Sequence, residues 1–517
     1  MILNIPPKIK QAFLIKNKGT ILFYGFLCFY VAIMLFLCQK LIIEEDEAYS
    51  LTTTSFSFSK IVHLSYFFEG QPPIYFLILS LWRNINESIF FARLLSVIFS
   101  LFSAFALHKL IESFYSKNLA KWIVVIFLIN PYTVWASQEI RLYSLLIFLT
   151  LSITLLFYQI YFQEKKKYIA FIICGLLGIY TQYYFSFIIA AFSIVVLYRN
   201  GWKSFWNYCL LALPIVVLSL PNLFCIKEQF NVHENTIVEY TISSRLRSMI
   251  LTPQEFILSI TKTPFDRYGR WIIRFFFVTF IVWSIIKFYK VKTNKGLLDV
   301  YKRLTDNLII IAFQLIVFSL IFIFSDLFYY DRYTTIIFPF YCILFAYFGY
   351  LNKGMRNFAF ISFVIYYLII LLNFYKPPFL KYDDQKSIAS FAQLIEIQNE
   401  PIVFYDKSLV LRFNQYYNGN NPIISLPELN LNLNFFSENF KDTLELKQAI
   451  NKKLNNSNHF LIITGNNLVH QNNNDLTDQI ADEYFYKYYK VTLDSIFQGK
   501  EEVYDLRIRR LERVTLP

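Results

Sequence analysis

Residues 20–50 read TILFYGFLCFYVAIMLFLCQKLIIEEDEAYS, and this stretch decides how the rest of the chain is read. From residue 20 to residue 43 the side chains are almost all aliphatic or aromatic, and about 20 such residues in a helix cross a bilayer core. A secretory signal core is shorter and ends in small residues. Here Glu44, Glu45 and Asp46 follow directly, so the run is expected to stay in place as a membrane helix. In lipid every backbone amide must be satisfied internally, and an unbroken apolar run of this length does so as a helix.

The same pattern recurs along the chain. Runs of spanning hydrophobicity lie at 88–107, 122–137, 142–162, 168–198, 205–226, 271–286, 307–324, 333–351 and 357–375. The 168–198 run is too long for one untilted crossing and has Gln182 near its middle, so it reads as a hairpin of two short helices. That gives eleven crossings. Composition agrees: of 517 residues, 56% are hydrophobic and only 16% charged, where a soluble protein has about 25%. A soluble globular enzyme is excluded. The six cysteines lie in or beside the apolar runs and form neither a disulfide framework nor a zinc spacing.

The net charge of +13 would suggest nucleic acid in a soluble protein, but its distribution gives another reading. Eleven crossings place 8–18, 109–121, 164–167, 199–203, 287–306 and 353–356 on one face, with twenty basic residues against the four acids Glu112, Glu164, Asp299 and Asp306. Lys and Arg in short loops stay on the cytoplasmic side. The amino terminus is therefore expected inside, and the outer loops 44–87 and 227–270 and the tail outside. The basic excess is then an anchoring signal, with no nucleic-acid partner. The segment 72–82, PPIYFLILSLW, is too short to cross and is expected to lie along or dip into the outer surface.

From residue 376 onward long apolar runs stop and Asn, Asp, Glu and Lys rise. Helical stretches (386–398, 444–454, 475–489) alternate with short apolar strands (401–405, 422–425, 459–464), and the Asn-rich pieces at 418–421 and 472–474 read as loops. The expected architecture is an α-helical polytopic membrane protein, residues 1–375, with a soluble C-terminal α/β domain, residues 376–517.

Three polar clusters fall on the expected outer face. The first is Glu44 to Ser50, where four acids are either solvated or include a general base or cation ligand. The second is Phe68 to Pro73, where Glu69 precedes an apolar helix and either stabilises its dipole or acts chemically. His63 with Glu69 is the weak candidate pair for a metal. In the third, Gln138 to Tyr143, Glu139 and Arg141 either pair at the membrane boundary or work with the other clusters. Arg332 and Tyr333 add a cation and a ring. Carboxylates, guanidinium groups and amphipathic rings beside a slot of apolar helices suit a substrate with a long apolar tail and an anionic head.

The motifs DEAYS (46–50), FFEGQPPIYFLILSLW (67–82), ARLLSVIF (92–99), NPYTVWASQEIRLYSLL (130–146), LLGIYTQYYF (176–185) and DRYTTIIFP (331–339), in this order, resemble bacterial members of the glycosyltransferase C superfamily. The branch resembled contains the protein O-mannosyltransferases and the aminoarabinose transferase of lipid A. The resemblance covers about the first 375 residues, and the tail resembles the soluble outer domain many members carry. It implies a GT-C-like fold and a bacterial plasma-membrane enzyme with an outside active site. Such an enzyme moves a sugar from a polyprenyl-phosphate carrier to a glycan, lipid or protein acceptor.

On the residues, the resemblance implies Asp46 as the catalytic Asp, Glu47 as the acid beside it and Glu139 as the second acid. It puts Glu69 at the carrier phosphate and Arg141 and Arg332 as the basic groups there, with Tyr143, Tyr333, Gln71 and Gln182 in the motifs around them. Relatives often carry His where Gln71 and Gln182 stand, so two imidazoles that would hold a metal are missing; a divalent cation remains an open cofactor. Two other classes compete with a transferase. A transporter or flippase of a lipid-linked glycan would place ionisable groups at the bilayer midplane, and a non-catalytic envelope assembly protein would need none of these carboxylates.

Overall fold

The computed structural model describes residues 7–233, 254–292, 298–324, 331–404, 406–426, 428–432, 443–454, 457–465, 489–501 and 504–514. The chain divides into two compact units. The first comprises Met1–Gln39, Leu81–Phe224 and Ile237–Phe374, and the second Lys40–Ser80, Cys225–Thr236 and Tyr375–Pro517.

The first unit is a helix bundle. Each expected crossing falls on a helix or on part of one: Pro7–Lys40, Ile89–Phe114, Lys117–Ile129 with Pro131–Gln138, Tyr143–Gln163, Tyr168–Ile179, Ser186–Ser219, Arg267–Lys292, Leu298–Phe324, Phe338–Leu351 and Lys353–Phe374. Among the described residues seven helices are long and apolar enough to cross a membrane, or up to eight if a bent pair counts as one span. Two of the differences from the sequence count of eleven are visible in the helices. Tyr168–Ile179 has 12 residues, short of a full crossing. Ser186–Ser219 runs through a break at Gly201, φ +76°, which the sequence presents as a loop between two spans. Large apolar side chains such as Ile21, Phe105, Leu210, Phe275 and Leu372 point outward on these helices. Exposed to water they would aggregate; in lipid they face a solvent as apolar as themselves. The chain is a multi-pass membrane protein.

Two breaks in the bundle bear on the polar clusters. Asn130-Pro131 divides the 122–137 run into helices bent by 60°, because Pro131 has no N–H to continue the ladder. The Asn130 carboxamide covers the break: its oxygen accepts from the Tyr132 N–H at 2.8 Å, and its nitrogen donates to the Phe256 carbonyl at 2.9 Å and the Tyr367 hydroxyl at 3.1 Å. The second break is the expected hairpin tip. The Tyr168–Ile179 helix ends with the Gln182 N–H on the Gly178 carbonyl, and the turn Tyr183–Phe185 leads into Ser186–Ser219.

The second unit joins the loop after the first span to the tail. The loop folds as helices Glu45–Thr53, Phe58–Phe67 and Ile74–Arg83, the last 10 residues long and unable to cross. The tail holds a five-stranded sheet of β1 (Ile402–Phe404), β2 (Ile423–Ser425), β3 (His459–Gly465), β4 (Tyr489–Phe497) and β5 (Leu506–Arg513), in the order β2-β1-β3-β5-β4. β1 lies parallel between β2 and β3, and β5 lies antiparallel between β3 and β4. Period-two alternation supplies two apolar faces. Ile402, Phe404, Leu461 and Ile463 pack with Ile388 and Ala392 of helix Gln385–Ile395. Val403, Phe460 and Ile462 pack with Ile450 and Leu454 of helix Thr443–Leu454.

The three expected strands are present, and so are the first two expected helices. Of the expected helix at 475–489, residues 475–488 lie outside the described residues, as does the 472–474 loop, and Tyr489 opens β4. Residues 234–253 of the 227–270 loop also lie outside them. β5 is not legible as an apolar strand because it carries four arginines. Three of the four are paired or buried: Arg507 meets Asp494 on β4, Arg510 grips Glu400 through both carboxylate oxygens at 2.7 and 2.9 Å, and Arg509 is buried.

Candidate active site

The expected site residues fall in both units. Asp46, Glu47, His63, Glu69 and Gln71 belong to the second, and Glu139, Arg141, Tyr143, Gln182, Arg332 and Tyr333 to the first.

In the second unit the acidic run becomes the start of a helix. Glu44 is extended, φ −98° and ψ 175°, and Glu45–Thr53 follows with Glu45, Asp46 and Glu47 in its first turn. Carboxylates are favoured there because the free N–H groups of a helix start present partial positive charge. The three acids differ in surroundings. Asp46 is half-buried. Glu47 is 0% exposed, and one of its oxygens accepts from both the Glu44 N–H at 3.1 Å and the Lys381 ammonium at 2.7 Å. The Glu45 carboxylate accepts from the Tyr49 hydroxyl.

Around Glu45 the tail contributes Arg412, Asp383 and Asp406. Arg412 is buried and paired with Asp383. Burial opposes its charge, but Asp383, Glu45 and Asp406 outweigh burial and hold the guanidinium protonated. Burial raises the proton affinity of Glu45 and of Asp383, with Arg412 acting against it in both cases. Burial and the neighbouring Glu45 carboxylate push the Tyr49 hydroxyl far up, so it remains a donor. The two residues before Glu44 are tied to the tail as well: the Ile43 N–H donates to the Tyr416 hydroxyl at 2.9 Å, and the Ile42 N–H reaches the Phe379 carbonyl.

Glu69 lies at the end of the same loop system, in the turn closed by Gly70 at φ +65°. Its carboxylate accepts from the Thr53 hydroxyl at 3.2 Å, and Phe68 stacks edge-on against Tyr49. The structure thus brings the Asp46 helix and the Glu69 turn together. The Gln71 N–H closes onto the Ser65 carbonyl at 2.8 Å. His63 is exposed, its ring tilted on Phe67 at 4.9 Å. Among the described residues no three His, Cys, Asp or Glu side chains converge as a metal cage requires. His63 and Glu69 alone do not supply that set.

In the first unit Glu139 is the extended residue ending Pro131–Gln138, fully buried, and its carbonyl accepts from the Ser96 hydroxyl at 2.6 Å. Arg141 is also buried, and Tyr143 packs on Trp135. Gln182 is buried in the hairpin turn. Arg332 and Tyr333 are half-buried on the turn Asp331–Ile337, which packs on helix Tyr143–Gln163. The Tyr132 hydroxyl is hydrogen-bonded to Thr335, and Tyr333 meets the ring of Tyr184, two residues after Gln182. One region of the bundle therefore gathers the Glu139–Tyr143 segment, the Gln182 turn and the Arg332 turn.

Three polar side chains in these settings have no counterpart among the expected site residues. Arg93, inside the ARLLSVIF motif, is fully buried on the Ile89–Phe114 helix and donates to the Cys38 carbonyl at 3.2 Å. A buried Arg in a membrane helix is a signal in itself, because such groups are rare there. Lys381 and Arg412 carry no such signal: Lys381 meets its partner 334 residues away, and neither motif nor periodicity connects the two.

No family model matches the chain, and no curated protein matches it. Among solved structures it is similar to ArnT from Cupriavidus metallidurans in the apo state, at 10% identity and a TM-score of 0.50, over 94% of this chain and 98% of that one. It is also similar to the same protein bound to undecaprenyl phosphate, at 11% identity and a TM-score of 0.45, over 95% and 98%. The likeness spans helices and tail together, so the chain shares the fold of that apo structure.

Proposed function

We propose that the protein is a membrane glycosyltransferase that moves a sugar from a polyprenyl-phosphate carrier to an acceptor at the outer face of a bacterial plasma membrane. The observation that carries this reading is the GT-C-like fold over nearly the whole chain, with Asp46 half-buried in the first turn of a helix directly after the first span. The basic segments support an amino terminus inside and the acidic first loop, the 227–270 loop and the tail outside.

A hydroxyl acceptor is a weak nucleophile at neutral pH, so a carboxylate that takes its proton during attack on the anomeric carbon lowers the barrier. Asp46 has that role in this proposal. The carrier phosphate leaves as a stable anion and needs no proton, and fixed positive charge stabilises it as the bond breaks. Arg141 and Arg332 are assigned to that task, with Tyr143, Tyr333, Gln71 and Gln182 as polar groups along the donor. Glu139 is assigned as the second acid, and Glu69 to the carrier phosphate or the sugar beside it. One displacement inverts the anomeric configuration.

The test is Asp46→Asn. Sugar transfer in membranes is expected to fall to background while protein level stays normal. Retained transfer overturns the base. Mass spectrometry of lipid-linked sugars and outer-face glycans, with and without the protein, identifies donor and acceptor.

A further inference from the structure

We infer that Lys381 is a positioning residue for Asp46, acting from the tail through Glu47. The inference rests on the reading of Asp46 as the base. Glu47 is the next residue along the helix from Asp46, with 0% exposure, and the Lys381 ammonium sits 2.7 Å from its carboxylate with 7% of that residue exposed. The same carboxylate oxygen accepts the Glu44 N–H at 3.1 Å. One atom therefore joins three parts of the chain: the residue before the helix, the first turn of the helix, and the tail. A buried carboxylate in a helix start has few places to go once an ammonium holds it. Its neighbour Asp46 inherits that fixed position.

Other contacts in this unit point the same way. The Ile43 N–H is held by the Tyr416 hydroxyl, and helix Lys407–Phe413 packs against helix Glu45–Thr53. Arg412 on that helix is held by Asp383 and lies in the field of Glu45 and Asp406. The tail is therefore built around the start of the Asp46 helix, and Lys381 is its direct ionic contact to the residue beside the base. A role of this kind also separates two adjacent acids: Asp46 does the chemistry, and Glu47 holds it in place.

The test uses full-length protein in detergent, with a synthetic polyprenyl-phosphate-linked hexose as donor and release of polyprenyl phosphate as readout. Lys381→Met leaves Glu47 buried without its ammonium. Turnover at saturating donor is expected to fall by about tenfold to a hundredfold, the size of effect that a small misplacement of a reacting group has, while the donor KM stays close to wild type. The double variant Glu47→Gln/Lys381→Met removes both charges and is expected to recover most of the loss. Hydrogen exchange, which needs no turnover, is expected to show faster exchange in residues 44–50 of Lys381→Met, reversed in the double variant, with the β3–β5 core unchanged. Unaltered exchange at 44–50 overturns the inference. So does a double variant as inactive as Asp46→Asn, since Glu47 would then act chemically. An active Asp46→Asn sinks the base instead, and the exchange arm still reads Lys381.

Discussion

Ser96 donates a 2.6 Å hydrogen bond to the backbone carbonyl of Glu139, where the chain passes from Pro131–Gln138 toward Arg141. Both residues are fully buried. A carbonyl in that position cannot turn to water, so the hydroxyl holds the Glu139–Arg141 segment against the Ile89–Phe114 helix. Ser96→Ala removes the donor and leaves the acceptor buried, a loss of about 1–3 kcal/mol. The expected result is a lower unfolding temperature in detergent together with slower transfer. Stability and turnover both equal to wild type would show that the carbonyl finds another donor.

Much of the fold is legible in the sequence because lipid imposes a simple rule: apolar runs of one length become helices. The Gln182 turn follows from a run too long for one span and too short for two full ones. The Asn130-Pro131 bend is signalled by Pro131 alone, and the groups that secure it, Phe256 and Tyr367, lie far away in sequence. The same limit applies to the site. Asp46, Glu69, Glu139 and Arg332 stand out as charges beside apolar runs, and motifs order them. Lys381, Arg412 and Asp383 lie in a near-neutral tail where charge is ordinary, and only folding shows them packed around the Glu45–Thr53 helix. Within β5, Arg507 and Arg510 look like surface residues in the sequence but are strand residues with carboxylate partners.

Gly178 makes the Gln182 hairpin possible at close range. A Cβ at that position would lie 2.2 Å from the Phe185 ring, on the far side of the turn. Gly178 is helical, so the need is for space and not for an unusual backbone conformation. Gly178→Ala is expected to cost about 1–3 kcal/mol through overpacking, measured as a drop in unfolding temperature. Adding Phe185→Leu is expected to return part of that loss. A Gly178→Ala protein as stable as wild type would mean that the ring moves freely, and that the turn is not fixed by this contact.

Glu45 gives the acidic helix start a pH dependence whose sign can be worked out. Burial raises its proton affinity above the ordinary value of 4.5, with the pull of Arg412 and the Tyr49 hydrogen bond working against burial. Below about pH 4.5 the group is protonated in both folded and unfolded chains, and its contribution is fully present. As pH rises from there through the folded value, the unfolded chain releases the proton first, so stability is lost over that window and then levels off. Glu45→Gln has no proton to release and keeps an oxygen for the Tyr49 hydroxyl. The unfolding temperature of the variant minus that of wild type is therefore expected to be higher at pH 8 than at pH 4. Asp383 shifts in the same direction, but it is present in both proteins and largely cancels in the difference. A variant that loses ground relative to wild type as pH rises would show that the attraction of Arg412 outweighs burial, and that ionised Glu45 stabilises the fold.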